Sequence, residues 1–396
     1  MKHRAAARVW HLTVAAWASL VVFAATSSLL SVSLERIGSE FSIGFGPRGA
    51  LAGIRALVLA SATLVIGRLA DRFGTKWFIS GAMVVIAVGL VWSGSSPTYV
   101  WLVGGIAVMA VGLGGLEALV SPLVAELHPR NVATHLSVLH AFFPAGLVVC
   151  SFAIGRALDS GVHWQVPFRV AAIPSLLVGV LFLTGRYADG PAERRVTLGI
   201  RAIAAMPLFW ILAAVIMLGA GCEGTLIYWT PNFIQAEYGT AAVVGAAGLV
   251  LLSLAMTVGR LGVGIAARRL PLESMMMYLA LVGAVASGCF ALVDGLWASM
   301  GLLMAAGLCV ACFWPCTLAL AARHIATGSA TLFAMLSVTG ILGFGALPYA
   351  SGLIAEKFGL RVGLCLVPAA FVAATFALLM SVRLSRRPTR ARAVGD

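Results

Sequence analysis

Charge is what this chain has least of. Asp, Glu, Lys and Arg together make 10% of its 396 residues, where a soluble domain carries about 25%. So few charges cannot cover a water-facing surface, which excludes an ordinary soluble fold. Disorder is excluded as well, because disordered chains are rich in charge and poor in apolar groups. The seven cysteines lie at scattered positions and give no disulfide scaffold. Cys309, Cys312 and Cys316 form a helical stripe with no histidine or acid beside them, the pattern of small-residue packing rather than of a metal site. There is no Walker A loop, no Ser/His/Asp set and no zinc-type HExxH sequence. ATP-driven work, enzymatic catalysis, a cofactor and a bound metal are therefore not expected.

What the chain has in abundance is apolar surface, with 61% hydrophobic residues. Apolar segments run over about 9–33, 47–66, 77–95, 98–124, 134–156 and 166–184. After a polar stretch come 206–231, 242–265, 273–293, 296–322, 329–354 and 361–382. Each is long enough to cross a bilayer, which takes about 20 apolar residues. The runs are continuous rather than alternating, which excludes a closed barrel. The fold class expected is an all-α polytopic membrane protein of twelve transmembrane helices, in two pseudo-symmetric six-helix halves. The first apolar run, about 25 residues, exceeds the h-region of a cleaved signal peptide and is read as a retained first helix.

The net charge of +13 would suggest nucleic-acid binding on a soluble protein. Placed on the twelve segments, the 27 basic residues argue otherwise. With the N-terminus in the cytoplasm, 20 of them fall on inner segments, six (Arg36, Arg48, Arg156, Arg169, Lys357 and Arg361) on outer ones, and Arg55 lies inside a helix. That is the positive-inside bias. It implies both termini in the cytoplasm, an inner (plasma) membrane location and no nucleic-acid partner. The basic tail from Arg383 to Arg392 can anchor topology or touch anionic lipid headgroups.

The longest polar connection, 185–205, falls at the midpoint, and the two sides of it resemble each other. Gly67-Arg68-Leu69 recurs as Gly259-Arg260-Leu261, offset by 192. Ser121-Pro122 matches Trp314-Pro315 at 193, and Leu139 with Gly146 match Leu336 with Gly343 at 197. A near-constant offset that lands on equivalent helices indicates duplication. The division expected is an N-terminal half at 1–185, a cytoplasmic linker at 186–205 and a C-terminal half at 206–396. Parallel repeats of this kind form secondary transporters that bind substrate between the halves.

Between the second and third helices the chain reads Gly67-Arg68-Leu69-Ala70-Asp71-Arg72-Phe73-Gly74-Thr75-Lys76. This resembles the G-x-L-a-D-r-x-G-r-k signature of the major facilitator superfamily. The resemblance implies a cytoplasmic gate in which Asp71 faces the start of the eleventh helix near Thr327 to Thr331, with Arg68 and Arg72 beside it. The second-half copy keeps Arg260, Arg268 and Arg269 but lacks the acid. Gly114-Gly115-Leu116-Glu117, Gly221-Cys222-Glu223 with Trp229-Thr230-Pro231, and Phe313-Trp314-Pro315 look like the fucose/glucose-type proton-linked sugar permeases. The helix-one acid of that group is absent; Thr13, Ser19, Thr26, Ser27 and Ser28 supply the polarity there. Drug/proton antiporters carry G-P-x-x-G-G in helix five, where this chain reads Phe143-Pro144-Ala145-Gly146-Leu147-Val148.

A charge at the bilayer centre costs at least ~2.5–3.5 kcal/mol and normally faces a cavity or a partner. Arg55, Glu117, His140 and Glu223 lie well inside spans. Glu117 can carry protons or hold substrate, or be held in a static ion pair with Arg55. Arg55 is either that counter-ion or a bidentate anchor for an anionic substrate. Glu223 can accept hydrogen bonds from a sugar, with Trp229 stacking on the ring, or simply pack between helices. His140 aligns with Ser337 and either faces the pore or bonds a backbone carbonyl. Trp314 precedes Pro315, where the helix can bend, and forms either a pocket wall or lipid-facing surface.

The function expected is a monomeric secondary transporter that moves a small, sugar-like solute with protons by alternating access, in contact with membrane lipid. The alternatives are an organic-anion permease anchored by Arg55 and a drug efflux antiporter.

Overall fold

In a computed structural model of the protein, the structure describes residues 2–129, 132–187, 200–266, 269–325 and 330–385. They form fifteen helices, and among the described residues there is no strand. Lipid offers backbone groups no hydrogen-bond partner, so each span must satisfy its own, which a helix does. The first half comprises α1 (Lys2–Glu40), α2 (Phe45–Phe73), α3 (Thr75–Ser93), α4 (Tyr99–Leu127), α5 (Val132–Asp159) and α6 (Gln165–Thr184). A short α7 (Ile200–Ala204) precedes α8 (Pro207–Tyr238), α9 (Ala242–Ala266) and α10 (Leu272–Leu292). Span ten is α11 (Leu296–Val310) followed by α12 (Phe313–His324). Span eleven is α13 (Ala330–Phe358), and span twelve is α14 (Leu360–Leu364) with α15 (Leu366–Ser385). Twelve segments are long and apolar enough to cross a membrane, and they match the twelve runs read from sequence to within a few residues at most ends.

Proline explains the break in span ten. Pro315 has no N–H to return to Ala311, so the helix stops at Val310 and restarts at Phe313. Ala311 and Cys312 between them keep helical dihedrals, so the hydrogen-bond ladder is broken there while the chain carries on as one span.

The duplicated residues make equivalent contacts. Gly67 of α2 faces Ala118 of α4, while Gly259 of α9 faces Leu308 and Ala311 at the equivalent crossing of span ten. Gly146 of α5 lies against Val21 and Ala24 of α1, as Gly343 of α13 lies against Met217 of α8. A Cβ on Gly343 would stand 2.0 Å from the Met217 carbonyl oxygen. Glycine at these crossings lets the helices come together where lipid gives no hydrophobic drive. Leu139 and Leu336, the other matched pair, are both fully buried.

The halves meet along α2 with α13, α5 with α9 and α1 with α8. With twelve spans both described ends of the chain lie on one face of the bundle, called here the terminal face. Among the described residues, the hydrogen bonds between halves all lie at the opposite, far face. There the Asp159 carboxylate accepts from the backbone N–H groups of Ala242 and Val243, and Glu356 accepts from Gly46. Asn232 donates to Glu35, Gln235 to the Val32 carbonyl and Tyr228 to the Arg48 carbonyl. Gly49 against Gly352, Gly53 against Tyr349 and Gly155 against Val243 close the same end by direct backbone approach.

Candidate functional site

Depth along the helices sorts the intramembrane polar residues into two levels. At 1.5 Å per residue, Glu117, His140 and Arg260 each stand about 27–29 Å from the far-face end of their helix. Glu223 stands about 22 Å from the far end of α8 and Arg55 only about 15 Å from that of α2.

The deeper level, toward the terminal face, gathers four helices. The Glu223 carboxylate on α8 takes a hydrogen bond from Arg260 Nη2 on α9 at 2.9 Å, forming an ion pair. The Glu223 side chain is 7% exposed and that of Arg260 24%. Arg260 Nε is buried without a partner, so the guanidinium is only partly satisfied. Across the interface, His140 on α5 lies within electrostatic range of Arg260, and its Nε2 lies 3.4 Å from the Ser121 hydroxyl on α4. His140 is exposed and lies near the terminal-face end of its span, Val138–Asp159. Glu117 is one helical turn from Ser121 and shares its face. It is half-buried, and among the described residues it has no hydrogen-bond or ion-pair partner. His140 thus stands between Ser121 on α4, with Glu117 one turn away, and the Arg260–Glu223 pair of the other half. Such a set can exchange a proton, and each member can hydrogen-bond a polar solute.

The shallower level is built around Arg55. Its Nη2 donates to Thr26 at 2.9 Å and Ser27 at 3.0 Å on α1, and the guanidinium lies over the Phe23 ring at 5.6 Å. Its Nε has no partner. Arg55 is 8% exposed, and among the described residues no carboxylate pairs with it. The static ion pair with Glu117 is not present: the two residues differ by about 12 Å in depth.

The aromatic candidates lie elsewhere. Trp229 is fully buried, donates its indole N–H to the Pro348 carbonyl at 2.9 Å and meets Phe45 edge-on. In this conformation its ring faces a helix seam rather than open space. Trp314 is half-buried, against Gly340 of α13.

Of the gate candidates, Arg68 and Arg72 are exposed near the terminal-face end of α2, with Arg72 over the Phe73 ring at 5.2 Å. The Asp71 side chain, and the Thr327 to Ser329 region it was expected to face, lie outside the described residues. Nearby, outside the spans, His128 stacks on His135 at 3.5 Å between ring centroids, and its Nε2 lies 2.8 Å from the Thr13 hydroxyl. Burial, and then the neighbouring His135 ring, hold His128 below the ordinary imidazole range.

Sequence reading missed Arg260 as a site residue, because its place near the inner end of the apolar run 242–265 counted it among the inner-segment charges. Its match to Arg68 across the repeat was the available signal, but that match pointed to the loop rather than to Glu223. Ser121 was noted only for its part in the repeat, where Ser121-Pro122 matches Trp314-Pro315.

The family profile described as Major Facilitator Superfamily matches residues 16–304. Myo-inositol transporter 2 of Cryptococcus neoformans is 33% identical over 119 residues, 28% of this chain and 21% of that protein. Across the curated relatives, the matched stretches span 18% to 46% of the relatives' length. A bacterial homologue of the human lysosomal transporter Spinster, in an inward-facing and occupied conformation, superposes with a TM-score of 0.80. It is 16% identical and covers 95% of this chain and 96% of its own. The D-xylose–proton symporter gives a TM-score of 0.76 at 14% identity, covering 93% and 97%. At these identities the structural likeness establishes the fold.

Proposed function

The chain belongs to the major facilitator superfamily, and from that premise we propose that it transports a small, sugar-like solute together with protons. The observation that carries this reading is Glu117: an unpaired carboxylate deep in a span, level with His140 and the Arg260–Glu223 pair. An unpaired charge at that depth is costly unless it works. Protonating Glu117 removes a charge from the space between the halves and favours the states in which that space closes around its load. Solute hydroxyls bond His140, Ser121 and Glu223, while Arg260 fixes the Glu223 carboxylate through their 2.9 Å pair. Kinship with myo-inositol transporters and the fold shared with a xylose–proton symporter support a polyhydroxylated solute.

In this reading both termini are cytoplasmic, the sealed far face is the outer one, and the chain is open to the cytoplasm. The boundary between the moving units falls at 186–205, and the protein works as a monomer in the inner membrane. Asp71, Arg68 and Arg72 serve the opposite state, in which the cytoplasmic side closes.

A second reading is favoured by Arg55. A buried guanidinium with no carboxylate beside it and an unpartnered Nε is suited to an anionic group on the solute, which it would meet at the closed end of the pathway. Uptake into proteoliposomes under an imposed pH gradient, with a panel of sugars, polyols and organic anions, separates the two. Accumulation of a polyol or sugar supports the first reading. Accumulation of anions alone overturns it in favour of the second.

A further inference from the structure

The far face carries two carboxylates that the transport reading leaves without a role. Asp159 is the last residue of α5, and both of its oxygens accept backbone N–H bonds at the first turn of α9, from Ala242 and Val243, each at 2.9 Å. Glu356, near the end of α13, accepts the backbone N–H of Gly46 in the first turn of α2 at 2.8 Å. The first N–H groups of a helix have no partner within it, and its N-terminus carries partial positive charge, so an anion there is held by both effects. Asp159 and Glu356 stand 197 residues apart, the offset that relates Leu139 to Leu336 and Gly146 to Gly343, and Gly46 and Val243 are separated by the same 197. The two contacts are thus one contact written twice. Each carboxylate reaches from one half to a helix start of the other.

We propose that Asp159 and Glu356 are paired clamps that hold the far face closed and set the balance between the two alternating-access states. Opening that face must pull α5 from α9 and α13 from α2. Both carboxylates then trade helix N–H donors for water, and the symmetric arrangement releases them together. The seam around them is lined by glycine: a Cβ on Gly44 would stand 2.2 Å from the Glu356 carboxylate, and one on Gly155 2.9 Å from the backbone of Val243. The helices therefore approach closely enough for the side chains to reach. Both carboxylates are exposed at the rim, so their hold is moderate, as a reversible gate requires.

The test measures the far-face distance directly. Spin labels at Ser95→Cys and Gly295→Cys, on exposed loops of opposite halves, are placed in the full chain after its native cysteines are replaced. The parent is expected to show a short, closed distance. Asp159→Asn with Glu356→Gln should add a longer one, raising the open-to-closed ratio roughly fivefold. Ala242→Pro removes a donor from the amide side at a position where proline is tolerated, should shift the same ratio, and carries the test if the double variant does not fold. Glu237→Gln breaks a far-face ion pair with Arg361 inside one half and should leave the distances unchanged. The proposal is overturned if the carboxylate and Ala242→Pro variants both keep the parent distribution, or if Glu237→Gln shifts it equally. The readout involves no solute, so it stands or falls apart from the transport reading.

Discussion

Removing Arg260 should expose how much of the site rests on its pair with Glu223. The two meet at 2.9 Å, with side-chain exposures of 24% and 7%. Deleting one partner of a fully buried pair costs about 3–5 kcal/mol, because the remaining charge is left without compensation. The partial exposure of Arg260 gives water some access, which lowers the expected cost of Arg260→Leu to about 2–3 kcal/mol. At roughly 2 °C per kcal/mol for a chain of this length, the loss in Tm is about 4–6 °C. Glu223→Gln should cost less, since the freed guanidinium is the more exposed partner. The double variant should recover part of both losses, with a coupling energy of about 1.5–3 kcal/mol. Thermal unfolding of the four proteins in one detergent at neutral pH supplies the cycle. If Arg260→Leu melts with the parent, or the double variant loses the full sum of the singles, the pair is not coupled and the reasoning fails.

Four other substitutions test separate parts of the structure. Gly343→Ala drives a Cβ against the Met217 carbonyl and should cost about 1–3 kcal/mol in thermal unfolding; Gly67→Ala, whose nearest neighbour is 3.8 Å away, should be neutral or slightly stabilising. His128 is held below the ordinary imidazole range by burial and by His135, so the unfolded chain takes up its proton first as pH falls. Its neutral form is matched to the fold above pH about 6.5, and stability is lost as pH drops below that value. His128→Gln should flatten that part of the Tm–pH curve, and an unchanged slope would assign the dependence to another group. Arg55→Gln should abolish uptake of an organic anion in the proteoliposome assay if the anion reading holds; uptake at the parent rate would remove Arg55 as its anchor.

The spans were legible because lipid imposes a length and a composition that twelve runs satisfy without remainder. The repeat was legible too, and its matched glycines make matched crossings at Gly67 and Gly259 and again at Gly146 and Gly343. Partners were not legible. An ion pair of Arg55 with Glu117 was one of two readings open from the sequence, but α2 and α4 bring the two residues to different depths. Arg260 looked like a topology charge and is instead bound to Glu223, 37 residues away in sequence. Trp229 read as a ring that could stack on a sugar, yet α13 offers its indole a backbone carbonyl at Pro348 and takes it into a seam. Pairings of this kind depend on how helices rotate and cross. A one-dimensional pattern of apolar runs fixes neither.

The central claim is that Glu117 couples proton movement to solute movement. The most direct measurement is pH-gradient-driven accumulation in proteoliposomes by the parent and by Glu117→Gln, with solute exchange at equal pH measured alongside. The account predicts that the parent concentrates solute against its gradient, and that Glu117→Gln loses accumulation while still exchanging solute. Accumulation by Glu117→Gln at the parent level, with exchange also unchanged, would contradict it.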